Sequence, residues 1–139
     1  MTDRRLTGGC LCGGVRFELT EPPAAAGYCH CSRCARRTGV GYSVQASIHG
    51  EMLRMVSGAD RVTWWRHPDG GWEKSFCRDC GAQLFSRNPD DPAQMSVRFG
   101  AFDDDPGVRP SWHSWVDSAP AWAPVPDDGL ERFSTSRPR

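Results

Sequence analysis

Along most of the chain, hydrophobic and polar residues alternate with a period of two, the pattern of half-buried strands. Val15, Phe17 and Leu19 alternate with Arg16 and Glu18, and Tyr42, Val44, Ala46 and Ile48 alternate with Ser43, Gln45 and Ser47. Leu53 and Met55 flank Arg54. Residues 62–65 and 72–76 lie either side of His67-Pro68-Asp69-Gly70-Gly71, which predicts a hairpin turn. Residues 84–86 and 95–99 predict two further short strands. Only residues 32–37 predict a helix, which Thr38-Gly39 closes. From Asp103 onward the pattern fades. Residues 103–107 predict a loop, and Pro120, Pro124 and Pro126 exclude a long helix after it. Residues 134–139 predict a loose tail. The expectation is one mainly β domain over residues 1–139, with its core in about 6–133.

The 139 residues fit one domain and have no internal repeat. With 17 Lys+Arg against 17 Asp+Glu, the formal net charge is zero, which counts against a duplex-binding module. All the basic residues are Arg except Lys74. Arg suits the planar, two-point recognition of carboxylates. No apolar run is long enough to span a membrane. The start, Met1-Thr2-Asp3-Arg4-Arg5, leads into Leu6-Thr7-Gly8-Gly9 and has no apolar core of a leader, so a cytoplasmic location is expected.

The seven cysteines change the picture most. They fall into three groups: Cys10 and Cys12 as C-x-C; Cys29, Cys31 and Cys34 as C-x-C-x2-C; and Cys77 and Cys80 as C-x2-C followed by Gly81. An odd number without a leader does not suit a disulfide scaffold. The last group is a zinc-knuckle signature and needs two further ligands, from either of the other groups. Seven divides into four plus three. Four thiolates make a closed structural zinc site, whereas three leave an open position, as in a catalytic one. Spacing alone does not choose the partition, and the middle group also fits a redox pair or a second closed site completed by His30 or an outside ligand.

Three stretches and a C-terminal piece carry a family resemblance. They are Gly8-Gly9-Cys10-Leu11-Cys12-Gly13-Gly14-Val15-Arg16-Phe17, Cys29-His30-Cys31-Ser32-Arg33-Cys34, Phe76-Cys77-Arg78-Asp79-Cys80-Gly81-Ala82-Gln83-Leu84, and Pro110-Ser111-Trp112-His113 with Pro120-Ala121-Trp122. The chain resembles the glutathione-dependent formaldehyde-activating enzyme family, which shares a domain with centromere protein V. The resemblance implies a β-tent of short, bent antiparallel sheets stapled by zinc. It implies a structural zinc on Cys10, Cys12, Cys77 and Cys80, and a catalytic zinc on Cys29, Cys31 and Cys34, two per chain. It further implies carbon–sulfur lyase chemistry on a thiol–aldehyde adduct such as S-hydroxymethylglutathione, with glutathione as co-substrate. Ala35 stands where the family often has Arg.

Glutathione carries two carboxylates, and Arg33, Arg36 and Arg37 beside the middle group are candidates to bind them; a solvated helix face is the plainer alternative. His30 can shuttle a proton only if it faces the pocket. His113, among Trp112 and Trp115, fits a pocket acid or base, or more plainly a satisfied histidine in an aromatic core. Trp64 and Trp65 cannot both face inward on a regular strand. Tyr42 and Gln45 receive no role. Two non-lyase readings remain: a zinc-stabilised protein-binding module with both sites closed, and a thiol redox sensor.

Overall fold

A computed structural model describes residues 5–138. Residues 1–4, the start of the stretch read for a leader, and Arg139 lie outside the described residues. The alternating segments become strands. In chain order these are β1 (Leu6–Gly9), β2 (Arg16–Leu19), β3 (Ala25–Cys29), β4 (Ser43–His49), β5 (Leu53–Ser57) and β6 (Val62–Trp65). There follow β7 (Glu73–Cys77), β8 (Gln83–Asn88), β9 (Asp91–Arg98), β10 (Trp112–Ser114) and β11 (Glu131–Arg132). One helix, α1 (Ser32–Thr38), lies between β3 and β4. Gly39 ends it in the left-handed conformation, φ 79°, with its N–H bonded to the Ala35 carbonyl. Among the described residues, no helix is long and apolar enough to cross a membrane.

The strands form two sheets. A three-stranded sheet has the order β1-β2-β5, and an eight-stranded sheet has the order β11-β10-β3-β4-β9-β8-β7-β6. All pairs are antiparallel except those of β10, which runs parallel to both β3 and β11. That departs from the expected all-antiparallel sheets. Residues 30–111 separate β3 from β10 and residues 115–130 separate β10 from β11, and such long connections are what parallel pairing requires. Residues 134–138 are exposed and have no regular structure, but two contacts reach them. The Trp115 N–H bonds the Thr135 carbonyl at 2.9 Å, and Arg137 lies over the Trp112 ring at 3.9 Å.

Alternation gives the large sheet two unlike faces. Ala26, Ala46, Val97 and Phe85 line up across β3, β4, β9 and β8. That row faces the small sheet, where Phe17, Leu19 and Val15 are fully buried. Phe17 meets Phe85 edge to face at 5.1 Å. The opposite face carries Lys74, Ser86, Ser96 and Ser47 in one row and Arg98, Gln45 and Gly27 in the next. Gly27 is required there, because a Cβ would lie 2.1 Å from the Trp112 ring.

Asp103 fastens the loop after β9 to the small sheet. It accepts hydrogen bonds from Thr7 Oγ1 (2.6 Å) and Arg16 Nη1 (2.9 Å), and its own N–H bonds the Thr7 carbonyl. Hydrogen bonds from Arg16 and then Thr7 hold its carboxyl down to about 2. A depressed carboxyl stabilises the fold above its unfolded pKa and loses that effect as pH falls through the folded value. Asp103→Asn should therefore unfold more easily in urea at pH 7, by about 1 kcal/mol for a half-exposed pair. The gap from wild type should close as pH approaches 2. A gap of constant size across that range would show that the carboxylate charge is not what holds the loop.

Candidate metal centres and their cavity

The first centre joins the two sheets. Cys10 and Cys12 sit in the turn after β1, where Gly13 has φ 78° and donates to the Cys10 carbonyl. Cys77 ends β7, and Cys80 follows in a turn closed by Gly81 at φ 76°, with Gly81 N–H bonded to the Cys77 carbonyl at 2.8 Å. The sulfurs of Cys10, Cys12, Cys77 and Cys80 all lie within 4.8 Å of one another. Cys10–Cys12 is 3.5 Å and Cys12–Cys77 is 3.9 Å. A tetrahedron of sulfurs bound to zinc has edges of about 3.8 Å, and a disulfide is far shorter at about 2.05 Å. The donor set thus fits a four-coordinate metal. N–H donors favour thiolates here. Backbone bonds from Ala82 and Cys12 bring Cys80 down to about 6. Burial resists ionisation of Cys10, but the Val15 N–H and its sulfur neighbours leave it lowered overall. The Gly14 N–H favours the Cys12 thiolate, yet the Cys10 sulfur, desolvation and the Cys80 and Cys77 sulfurs together outweigh it, and Cys12 rises to about 11. An Arg61–Asp79 ion pair at 2.8 Å braces the knuckle.

The second centre is local. Cys29 ends β3, Cys31 caps α1, and Cys34 lies buried in its first turn. Their sulfurs also lie within 4.8 Å of one another, and no fourth protein ligand joins them among the described residues. Cys34 N–H donates to Cys31 Sγ at 3.3 Å, and Ser43 Oγ–H to Cys34 Sγ at 3.1 Å. Hydrogen bonds from Cys29 and Cys31, with Ser43 and the Arg98 charge, bring Cys34 down to about 2. Its charge and bonding push Cys29 up, the Cys31 sulfur being the largest cause. Cys31 also rises: Cys29 favours its thiolate, but Cys34 and burial outweigh that.

A cavity of about 900 Å³ opens over this centre. Cys29, Cys31, Cys34, Arg33, Arg36 and Arg37 all line it, so the candidate thiols and arginines share one space. Arg33 is already engaged: its Nη1 donates to the Gly70 carbonyl at 2.7 Å and fastens the β6–β7 turn over α1. Arg37 keeps a buried Nε without a partner. Burial, then the Arg98 charge, pushes the Arg37 guanidinium down.

His30 faces away from this cavity. It is 2% exposed and its Nε2 lies 2.8 Å from Nδ1 of His113, which is 1% exposed. His113 Nε2 lies 2.8 Å from Asp128 Oδ2. A carboxylate only accepts, so in neutral rings His113 Nε2 donates to Asp128 and its Nδ1 accepts from His30 Nε2. Tyr28 stacks on His113 with centroids 4.8 Å apart. Neither histidine lines the cavity. Both anchor the cysteine loop to β10, the plainer of the two readings of His113.

Sequence reasoning passed over Lys74, Gln45, Ser43, Trp72 and Trp115, all of which line the cavity or touch its thiols. Trp65 lines it at 47% exposure while Trp64 packs against the core, as the alternation requires. Trp115 is held at φ 57°, a left-handed conformation that a bulky side chain rarely adopts. No pattern in the sequence signals that.

Known proteins show the same arrangement of chain. A family model described as "Glutathione-dependent formaldehyde-activating enzyme" matches residues 5–118. The chain belongs to this family. A solved protein of Rhodobacter sphaeroides is similar at 26% identity, with a TM-score of 0.60, over 91% of this chain and 98% of that one. Membership in the formaldehyde-activating family associates the chain with glutathione and an aldehyde, and its two cysteine groups can hold metal ions.

The two centres should respond differently to mutation. Cys80→Ser should lose a large part of the folding free energy, several kcal/mol, because the metal of a closed site is bound only in the fold. Cys31→Ser should keep a cooperative thermal transition. A Cys80→Ser protein that melts like wild type, or a Cys31→Ser protein that precipitates with it, would show that the centres do not divide the roles this way.

Proposed function

We propose that this protein is a zinc-dependent carbon–sulfur lyase that forms or cleaves a thiol–aldehyde adduct of the S-hydroxymethylglutathione type. The observation that carries the reading is the three-thiol group with no fourth protein ligand, opening on a cavity lined by arginine. In this reading Cys29, Cys31 and Cys34 hold the catalytic zinc, and Cys10, Cys12, Cys77 and Cys80 hold a structural one. A reducing compartment such as the cytoplasm suits both sets, since it keeps the thiols available as ligands.

A zinc ion with one open position ionises a bound thiol and so supplies a nucleophile at neutral pH. The chain's own residues do the rest. Ser43 and Arg98 favour negative charge on Cys34 and hold the sulfur cluster together. Arg36 and Arg37, with the donors of Arg33 that Gly70 leaves free, receive the carboxylates of the thiol by two-point hydrogen bonds. Trp65, Trp72 and Trp115 wall the cavity and limit water around the reacting sulfur. Addition joins the thiol sulfur to the aldehyde carbon and moves the thiol proton to the aldehyde oxygen. Cleavage returns that proton and releases both reactants.

Elemental analysis of reduced protein should find about two zinc ions per chain, and about one in Cys31→Ser, if each sulfur group holds one ion. Cobalt substituted at the three-thiol site should change its visible spectrum when glutathione is added. NMR of labelled formaldehyde should show faster exchange with S-hydroxymethylglutathione in wild type, with a loss of about a hundredfold or more in Cys31→Ser. A cobalt spectrum indifferent to glutathione, with no exchange above background, would leave a binding module with two closed sites as the better reading.

A further inference from the structure

The polar face of the large sheet carries Lys74 and Gln45, which the proposed reaction does not use. Lys74, Ser86, Ser96 and Ser47 form one row across β7, β8, β9 and β4. The serines are small, so the row is a trough. It forms a second cavity of about 730 Å³, partly walled by Trp112 and the tail residues 136–138. Cys29, Gln45, Trp72, Lys74 and Trp115 line both cavities, so the two meet beside the three thiols.

Cations gather around that junction: Lys74 lines both cavities, Arg98 reaches them through Gln45, and Arg37 lines the first. Among the described residues, Arg16, Arg61 and Arg87 each pair with a carboxylate, whereas Arg37, Lys74 and Arg98 pair with none. Arg98 Nη1 donates to Gln45 Oε1 at 2.8 Å, and Arg98 Nη2 is buried without a partner. An arginine only donates, so Gln45 must turn its oxygen to Arg98, which leaves its Nε2 hydrogens to a ligand. Burial, and then the Arg98 charge, pushes the Lys74 ammonium down. Three cations held together out of water repel one another, and a bound anion relieves that repulsion. Three thiolates on a divalent ion would balance one of the three charges and a thiol carboxylate on Arg37 a second, which leaves one for a further anion.

We propose that Lys74 and Gln45, backed by Arg98, hold a carboxylate where the two cavities meet, and that the carbonyl substrate is a 2-oxo acid of the glyoxylate type. This rests on the lyase reading and names its electrophile. Formaldehyde has no charged group for these residues and no bulk to occupy a second cavity. The carboxylates of the thiol already have Arg33, Arg36 and Arg37. In a 2-oxo acid the carboxylate is bonded directly to the carbonyl carbon. Holding it at the junction therefore places that carbon beside Cys29, at the edge of the three-thiol centre. The thiol sulfur bonds to the carbon, the carbonyl electron pair moves to oxygen, and the thiol proton follows it; the carboxylate is unchanged.

Trp72 and Trp115 at the junction supply the readout, which is quenching of intrinsic fluorescence in the zinc-loaded protein without thiol. Glyoxylate should quench saturably and more tightly than acetate. Lys74→Met should weaken it tenfold or more, the worth of a charge-assisted contact. Lys74→Arg should retain most of the affinity, and Lys74→Gln serves if the methionine variant does not fold. Absence of a saturable quench, equal affinity for acetate, or glyoxylate binding unchanged without the Lys74 charge would each overturn the proposal. Glutathione binding, read separately from the cobalt spectrum, distinguishes the two failures. A glutathione response without glyoxylate binding sinks this proposal alone, and glyoxylate binding without a glutathione response sinks the lyase reading on which it rests.

Discussion

Four sulfurs hold the architecture in register. Cys10 and Cys12 belong to the small sheet, while Cys77 and Cys80 end the strand next to the outer edge of the large one. A domain this short has a limited core, and here Phe17, Leu19 and a few neighbours supply it. Bringing the four sulfurs together fixes β7 relative to the small sheet, and β7 carries Lys74 onto the opposite face. The closed centre and the open one are therefore parts of one mechanical arrangement, although they lie at different ends of the sheet.

The large sheet does the sorting between them. Because side chains alternate along a strand, the core residues Ala46, Val97 and Phe85 are followed by Ser47, Arg98 and Ser86 on the other face. Val97 faces Phe17 while Arg98 and Ser96 take the opposite face, where Ser96 lines the second cavity. A one-residue slip in β9 would exchange the two sets and destroy core and cavity together. The resemblance pointed to the same site from the opposite direction, through the cysteine groups.

Much of this was legible in the sequence where the signal is local. The period-two runs located β2, β4 to β9 and the β6–β7 turn, and Thr38-Gly39 located the end of α1. The pairing of Cys10 and Cys12 with Cys77 and Cys80 followed from the resemblance, since spacing alone left it open. β1 and β3 gave no pattern. β3 is Ala25-Ala26-Gly27-Tyr28-Cys29, whose small residues serve to seat Trp112 rather than to alternate. Arg33 was placed in the right neighbourhood, but its bond to Gly70 depends on a turn nearly forty residues away. Lys74, Gln45 and Arg98 come from three strands, and only strand register brings them together. His30 looked equally able to face the cavity or the core, and its bond to His113 decides the matter.

The sulfur centres also differ in when they can exist. Cys29, Cys31 and Cys34 lie within six residues, so their cluster needs almost no loop closure. Cys12 must find Cys77 across 65 positions, a contact of the slow, non-local kind. The wall of the second cavity comes last of all, from Ser136, Arg137 and Pro138. The walls of the thiol cavity come from β6, β7 and the turn between them, so during synthesis the three thiols are together before their cavity exists. A chain still short of Trp72 and Lys74 therefore carries a metal-binding triad on an unwalled surface, open to any competing metal or oxidant.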